Sequence, residues 1–214
     1  MNFFSIHNIA ITLMGYEMSW IELLATLFTV ACVWLAMKKH ILNWPVALIA
    51  IVLSYALFYQ NELYADSFLQ IYFFVASAYG WWYWSRPNAM TDELPVTQLT
   101  NQERINWLVI LMLAWVAATY FTTHLNIWWP QFYPKPAAFP IADSFILVAS
   151  FLGQWLLAKK KLENWICWII VNCTAVFVYY LKDLKLFSIL YLVLLFIAIQ
   201  GVITWNKKDE ALKN

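Results

Sequence analysis

The residues of this sequence with the most chemistry to offer are amides and aromatic rings set at helical spacing inside long apolar stretches. Asn164, Trp168 and Asn172 follow at i, i+4 and i+8, with Tyr179 seven further on, which places two amides and two aromatics along one helical face. Asp66, Gln70, Ser77, Trp81 and Trp84 make a comparable face, and Asp143, Ser150 and Gln154 a third. An amide offers a donor pair and an acceptor, suited to a carboxamide or a ribose diol. Trp and Tyr faces hold a flat ring, and a cationic one more strongly. Polar groups inside a bilayer are costly, so they are functional candidates by default.

Each of these has a plainer reading beside it. Asn43 and Asn164 open helices, where Asn is a common N-cap. Glu22, Asp66 and Asp143 stand in first turns, where the helix dipole favours acids, although three carboxylates at one mouth would also attract a cationic solute. Trp81, Trp82, Trp84 and Trp205 stand at span ends, as aromatic-belt residues do. Gln70, Gln154 and Asn172 lie deeper; hydrogen bonding between helices is the alternative there, and the site reading is preferred for these three.

Other chemistries find little support. His7, His40 and His124 are the three histidines, all outside apolar stretches or at their edges, and no two are spaced as a ligand pair. An intramembrane enzyme would need a convergent nucleophile and base or a metal, so no catalytic residue, metal or cofactor is assigned. Cys32, Cys167 and Cys173 lie in apolar runs without metal-ligand spacing and read as packing residues. A net charge of +1 excludes a simple nucleic-acid surface, which needs a basic excess.

What must position the candidates is a membrane-embedded helical body. Only 12% of the 214 residues are charged against 64% hydrophobic, where a soluble chain carries about 25% charged residues. Seven segments approach the roughly 20 apolar residues that span a bilayer: Trp20–Met37, Asn43–Gln60, Asp66–Trp84, Ile105–Thr123, Ile141–Ala158, Asn164–Leu181 and Leu186–Trp205. Residues 1–19 lack the marks of a signal peptide; their apolar run Ile9–Gly15 is too short to span and predicts a short interfacial helix. Residues 85–104 form a polar linker with Pro87 and Pro95, closing on a capping box from Thr100 to Glu103. Residues 124–140 form an external loop and 206–214 a tail.

One side receives Lys38, Lys39, Arg86, Arg104, Lys159, Lys160, Lys161, Lys207, Lys208 and Lys213, and the other Lys135, Lys182 and Lys185. Ten against three makes the first side cytoplasmic, with the N-terminus outside and the C-terminus inside.

The chain also matches itself without gaps at an offset of 121 residues. Trp34, Leu35, Lys38, Lys39, Asn43 and Trp44 recur as Trp155, Leu156, Lys159, Lys160, Asn164 and Trp165; Ile49, Tyr59, Leu63, Ser67, Leu69, Gly80 and Trp84 recur as Ile170, Tyr180, Leu184, Ser188, Leu190, Gly201 and Trp205. Equivalent polar positions diverge: Gln70 meets Tyr191, and Asn172 meets Ile51. That suits a pathway gripping an asymmetric solute. Each repeat holds three spans, 20–84 and 141–205, so the span at 105–123 between them restores direction. The expected fold is an all-α membrane protein of seven transmembrane helices, two parallel three-helix repeats joined by an inverting fourth helix (3+1+3), with the substrate site between repeats. The acids cluster near helix starts and Pro45 lies near one, so ionisable or unwound midplane elements for ion coupling are not apparent, and uncoupled diffusion is expected.

The run Asn43-Trp44-Pro45, then Leu63 to Gln70, then Tyr79-Gly80-Trp81-Trp82-Tyr83-Trp84 resembles the PnuC-type nicotinamide riboside transporters of the Pnu vitamin family; Glu163-Asn164-Trp165 and Gly201 to Trp205 also fit. The resemblance implies a SWEET-like 3+1+3 fold, a homotrimer in the bacterial inner (plasma) membrane among its lipids, and facilitated diffusion made one-way by phosphorylation of the riboside in the cytoplasm. Nicotinamide riboside has a cationic pyridinium, a carboxamide and a ribose, which suits the amide and aromatic inventory. The substrate-binding candidates are then Asn43, Trp44, Gln70, Tyr79, Trp82, Gln154, Asn164, Trp165, Trp168, Asn172 and Tyr191. Relatives carrying thiamine or riboflavin, or a sugar carrier, are the alternatives.

Overall fold

A computed structural model describes residues 3–13, 15–61, 64–86 and 94–210; Leu63, Pro87 and Lys213 lie outside them. The chain divides into two compact units, Met1–Pro95 and Val96–Asn214. Unit 1 holds a hairpin of β1 (Ile9–Leu13) and β2 (Tyr16–Ser19), then α1 (Trp20–Met37), α2 (Asn43–Gln60) and α3 (Tyr64–Trp84). Unit 2 holds α4 (Asn101–Trp128), α5 (Pro140–Ala158), α6 (Asn164–Leu181) and α7 (Lys185–Glu210). In unit 1, α2 packs between α1 and α3; in unit 2, α6 packs between α5 and α7, and α4 lies on α5. Six of these helices are long and apolar enough to cross a membrane. The 21-residue α3 is not among the six, because its polar start and its final Tyr and Trp residues dilute its hydropathy.

The interfacial helix expected over Ile9–Gly15 is instead an antiparallel hairpin. Ile9, Ile11 and Thr12 are β-branched and favour extended backbone, and Gly15 has φ 82°, a conformation other residues rarely take. Leu13 pairs with Tyr16 and Ile11 with Met18, while Thr12 pairs with Glu17, so one face is apolar and the other polar. Ser19 then caps α1, its Oγ accepting from the Glu22 N–H at 3.4 Å. Tyr16 Oη donates to Glu22 Oε1 at 2.8 Å. Partial burial, with the hydrogen bond and charge of Glu22, pushes the Tyr16 phenol up to about 12. A phenol pKa raised on folding favours the neutral form, so its contribution to stability is complete below pH 10 and is lost as pH rises towards 12. Spectrophotometric titration should show a late-ionising tyrosine component that is reduced in a Tyr16→Phe variant.

The fourth helix is longer than the expected Ile105–Thr123. It runs 28 residues from Asn101, because the expected capping box forms: Thr100 Oγ1 accepts from the Glu103 N–H at 3.2 Å and Glu103 Oε2 accepts from the Thr100 N–H at 2.8 Å. No residue of α4 is buried. The linker before it is not slack polar chain throughout, since Val96 and Leu99 are buried.

The self-match has a physical reason in devices that recur at equivalent positions in the two units. Lys39 and Lys160 both take a left-handed backbone, φ 62° and 55°. They close α1 and α5 with the same pair of bonds, from Lys39 N–H to Ala36 O and His40 N–H to Leu35 O, and from Lys160 N–H to Leu157 O and Lys161 N–H to Leu156 O, a Schellman motif. Lys38 lies over the Trp34 ring and Lys159 over Trp155. Ser67 and Ser188 donate to the Tyr55 and Val176 carbonyls, again 121 residues apart. The largest device is a wedge. Trp44 is buried edge-on against Trp84, centroids 5.2 Å apart at 90°, and Trp165 against Trp205 at 5.5 Å and 87°. Gly80 and Gly201 leave the room: a Cβ on either would overlap the six-membered ring of Trp44 or Trp165.

Candidate functional site

Asn43 and Asn164 are not N-caps. Leu42 and Glu163 occupy those positions, and each Asn lies one residue inside its helix. Its Nδ2 reaches back to donate to a carbonyl of the preceding turn, Asn43 to His40 at 2.8 Å and Asn164 to Lys161 at 2.6 Å. These amides hold the turn after each left-handed lysine. The Asn164 Oδ1 remains buried without a hydrogen-bond partner, as do the indole Nε1 of Trp44 and of Trp165. Each unit therefore carries an orphaned indole donor at the same repeat position, and unit 2 adds an orphaned acceptor beside it.

Further along α6, Trp168 and Asn172 share the face that Asn164 begins. Gly153 on α5 admits the Trp168 indole; a Cβ there would sit 3.2 Å from its Cε2. Sequence reasoning missed Gly153, although a lone glycine in the middle of an apolar helix is a signal of close approach. Gln154, next to it, is buried. Asn172 is 3% exposed as a residue; its carboxamide makes no hydrogen bond to any described residue and is not among the fully enclosed unpaired groups that include Asn164 Oδ1.

At the far end of α6, Tyr179 stacks on Tyr191 of α7, centroids 5.1 Å apart at 12°, with Phe187 on the same stack at 5.6 Å. Lys182 binds both oxygens of Asp143, at 2.7 and 2.9 Å, and lies 5.8 Å from the Tyr179 ring and 5.9 Å from the Phe139 ring. The ammonium is thus placed as an organic cation would be, between a carboxylate and aromatic faces.

In unit 1, Gln70 lines an open groove with Ile51, Val52, Tyr55, Ile71 and Phe74, where it is the only amide. Tyr79 packs on Trp82 and Tyr83, and the Arg86 guanidinium lies 3.5 Å from the Trp82 ring centroid. The candidates therefore divide by surroundings. Asn43, Trp44 and Trp165 are committed to turns and wedges. Trp168 and Asn172 form a face on one helix, and Asn164 belongs to both groups. Among the described residues no group of three His, Cys, Asp or Glu is placed to hold a metal.

The family model for nicotinamide mononucleotide transporters matches residues 19–207. The nicotinamide riboside transporter PnuC of Escherichia coli (strain K12) is 32% identical to this chain, covering 96% of it and 94% of the relative. The riboflavin/roseoflavin transporter RibM of Streptomyces davaonensis is 21% identical, over 78% and 75% of the two chains. A crystal structure of the vitamin B3 transporter PnuC superposes with a TM-score of 0.62 at 24% identity, covering 88% of this chain and 81% of that one. At that identity the likeness speaks for the fold.

Proposed function

We propose, for a chain that belongs to the nicotinamide mononucleotide transporter family, that this multi-pass membrane transporter carries nicotinamide riboside. The observation that supports the substrate most directly is Asn172, 3% exposed with no hydrogen bond from its carboxamide to any described residue, one helical turn from Trp168. An amide in that state answers a carboxamide or a diol with a matched donor and acceptor, and the neighbouring indole offers its face to a pyridinium. Asn164 Oδ1 adds an acceptor about 12 Å further along the same face, a span that suits a ring joined to a ribose.

The remaining parts of the reading go with it. The seven helices are taken as spans in a SWEET-like 3+1+3 order, with the N-terminus outside and the C-terminus cytoplasmic in a bacterial inner membrane. Three copies assemble, each with its own pathway; Gln154 and Tyr191 are the further candidate contacts in unit 2, and Gln70, Tyr79 and Trp82 those in unit 1. Transport is facilitated diffusion, and phosphorylation of the riboside in the cytoplasm retains it. The scarcity of carboxylates away from helix starts supports the absence of ion coupling.

Proteoliposomes test both halves. Labelled nicotinamide riboside should equilibrate across the membrane, excess unlabelled riboside should block its entry, and riboflavin and thiamine should not. Block by riboflavin alone would move the substrate to the RibM type. Accumulation above the external concentration, driven by a pH or sodium gradient, would overturn facilitated diffusion.

A further inference from the structure

Within unit 2 the linker is tied to the start of α6 by one carboxylate. Residues 96–99 run beside the turn between α5 and α6 as a single parallel bridge, Thr97 with Lys161. Thr97 N–H donates to the Lys160 carbonyl at 3.2 Å and Leu162 N–H to the Thr97 carbonyl at 2.9 Å. Glu163 fastens the strap at its end. Its Oε1 accepts from the Leu99 N–H at 3.0 Å and from Arg104 Nε and Nη2 at 3.1 and 2.9 Å. Lys161 Nζ and Arg104 Nη2 add bonds to Gln98. The Glu163 side chain is 12% exposed and its Oε2 is buried without a partner, while the Arg104 side chain is 47% exposed; the carboxylate end of the link is therefore enclosed, unlike that of a fully solvated surface pair, which contributes little. Arg104 lies in the first turn of α4, close after the capping Thr100. Three elements thus meet on Glu163 Oε1: the strap, α4 and the N-terminus of α6.

The first repeat cannot build such a link, because Leu42 stands where Glu163 stands in the second and is 52% exposed. The asymmetry bears on the candidate site, since Glu163 immediately precedes the helix that carries it. Asn164, Trp168 and Asn172 stand one, five and nine residues beyond Glu163 on that one rigid element.

We propose that Glu163 is a positioning residue for transport: with Arg104 and the strap it sets the height and rotation of α6, and so of the amide and indole face that α6 presents to the solute. The inference rests on the reading of that face as a substrate site. It concerns a group that does not itself touch the solute.

The test uses the full chain in liposomes, with Glu163→Gln and Arg104→Met alone and together. Each variant is read for the half-saturating concentration of nicotinamide riboside, the maximal uptake rate and the unfolding temperature. A fourth readout is the alkylation rate of Cys167, taken at the pH plateau where the thiol is fully ionised so that loss of the nearby Glu163 charge does not enter, with Cys32 and Cys173 replaced by serine, because Cys167 lies on α6 against Gly153 and then reports helix placement without any solute. Expected for either single variant is a half-saturating concentration raised about fivefold to tenfold, since small misplacements of a site carry large penalties, with a smaller change in maximal rate and a severalfold faster alkylation. The double variant should be no worse than the worse single one, as both cut one link. A lowered unfolding temperature with unchanged half-saturation and alkylation would make the link merely structural and overturn the proposal. If the parent chain takes up no nicotinamide riboside, the substrate reading is lost, and Cys167 alkylation then decides the positioning role by itself.

Discussion

Asn172→Leu is expected to cut nicotinamide riboside uptake at least tenfold while leaving the protein as stable as before. The two effects share one cause. Asn172 is 3% exposed and its carboxamide bonds no described residue, so an apolar side chain of similar size takes nothing from the fold's hydrogen bonding and removes only what the solute would bind. The same amide would be satisfied by solute, and a site built to hydrogen-bond its ligand discriminates strongly once that partner is gone. Thr174→Val two residues away is the control, because Thr174 Oγ1 already donates to the Ile170 carbonyl at 2.9 Å; uptake should be unaffected. A leucine variant that unfolds at lower temperature yet transports normally would mean that Asn172 serves the fold, and the site would have to be sought elsewhere.

The largest effects on stability should come from two glycines. Gly201→Ala and Gly80→Ala each put a methyl into the ring of a tryptophan, Trp165 at 1% exposure and Trp44 at 0%, neither of which has free space to retreat into. Overpacking of this kind costs about 1–3 kcal/mol or more, or a fall in unfolding temperature of roughly 2–12 °C, read in detergent by thermal melts. Shrinking the wedge should recover part of the loss, so Gly201→Ala with Trp165→Phe should melt above Gly201→Ala alone. Gly153→Ala provides the contrast. Its methyl would meet the Trp168 edge at 3.2 Å, close enough to displace the indole by a few tenths of an ångström without breaking a wedge, so uptake should suffer more than stability. Equal tolerance of alanine at all three positions would contradict this packing.

Much of the architecture was legible because it depends on local periodicity and on caps. Helices α2 and α6 begin and end at the residues expected from hydropathy alone, and the Thr100 box sets the start of α4 as the Thr-to-Glu spacing implies. The N-terminal run departs from expectation because so short an apolar stretch fits either period, and the deciding element was a glycine that could turn the chain at φ 82°. Family resemblance was legible for a related reason. Among the residues that carried it, Asn43, Trp44, Gly80 and Trp84 with their second-repeat partners are those with which each unit closes its turn and seats its wedge.

The same fact marks the limit of the sequence. By itself it determined a membrane-embedded helical chain, a self-match at an offset of 121 residues and the identity of the amides and rings available for a solute, because composition, period and self-similarity are properties of one dimension. It could not separate residues that serve the fold from residues left over for a ligand, since an Asn that ties down a turn and an Asn with nothing to bind are the same letter at the same spacing. Only the tertiary structure decided that Asn164 commits its Nδ2 to the Lys161 carbonyl while Asn172 bonds no described residue, and that Gly153 and Gly201 face different tryptophans with different tolerance. Hydrogen-bond satisfaction and close packing are settled by atoms distant in sequence: Glu163 and Leu99, bonded at 3.0 Å, are 64 residues apart.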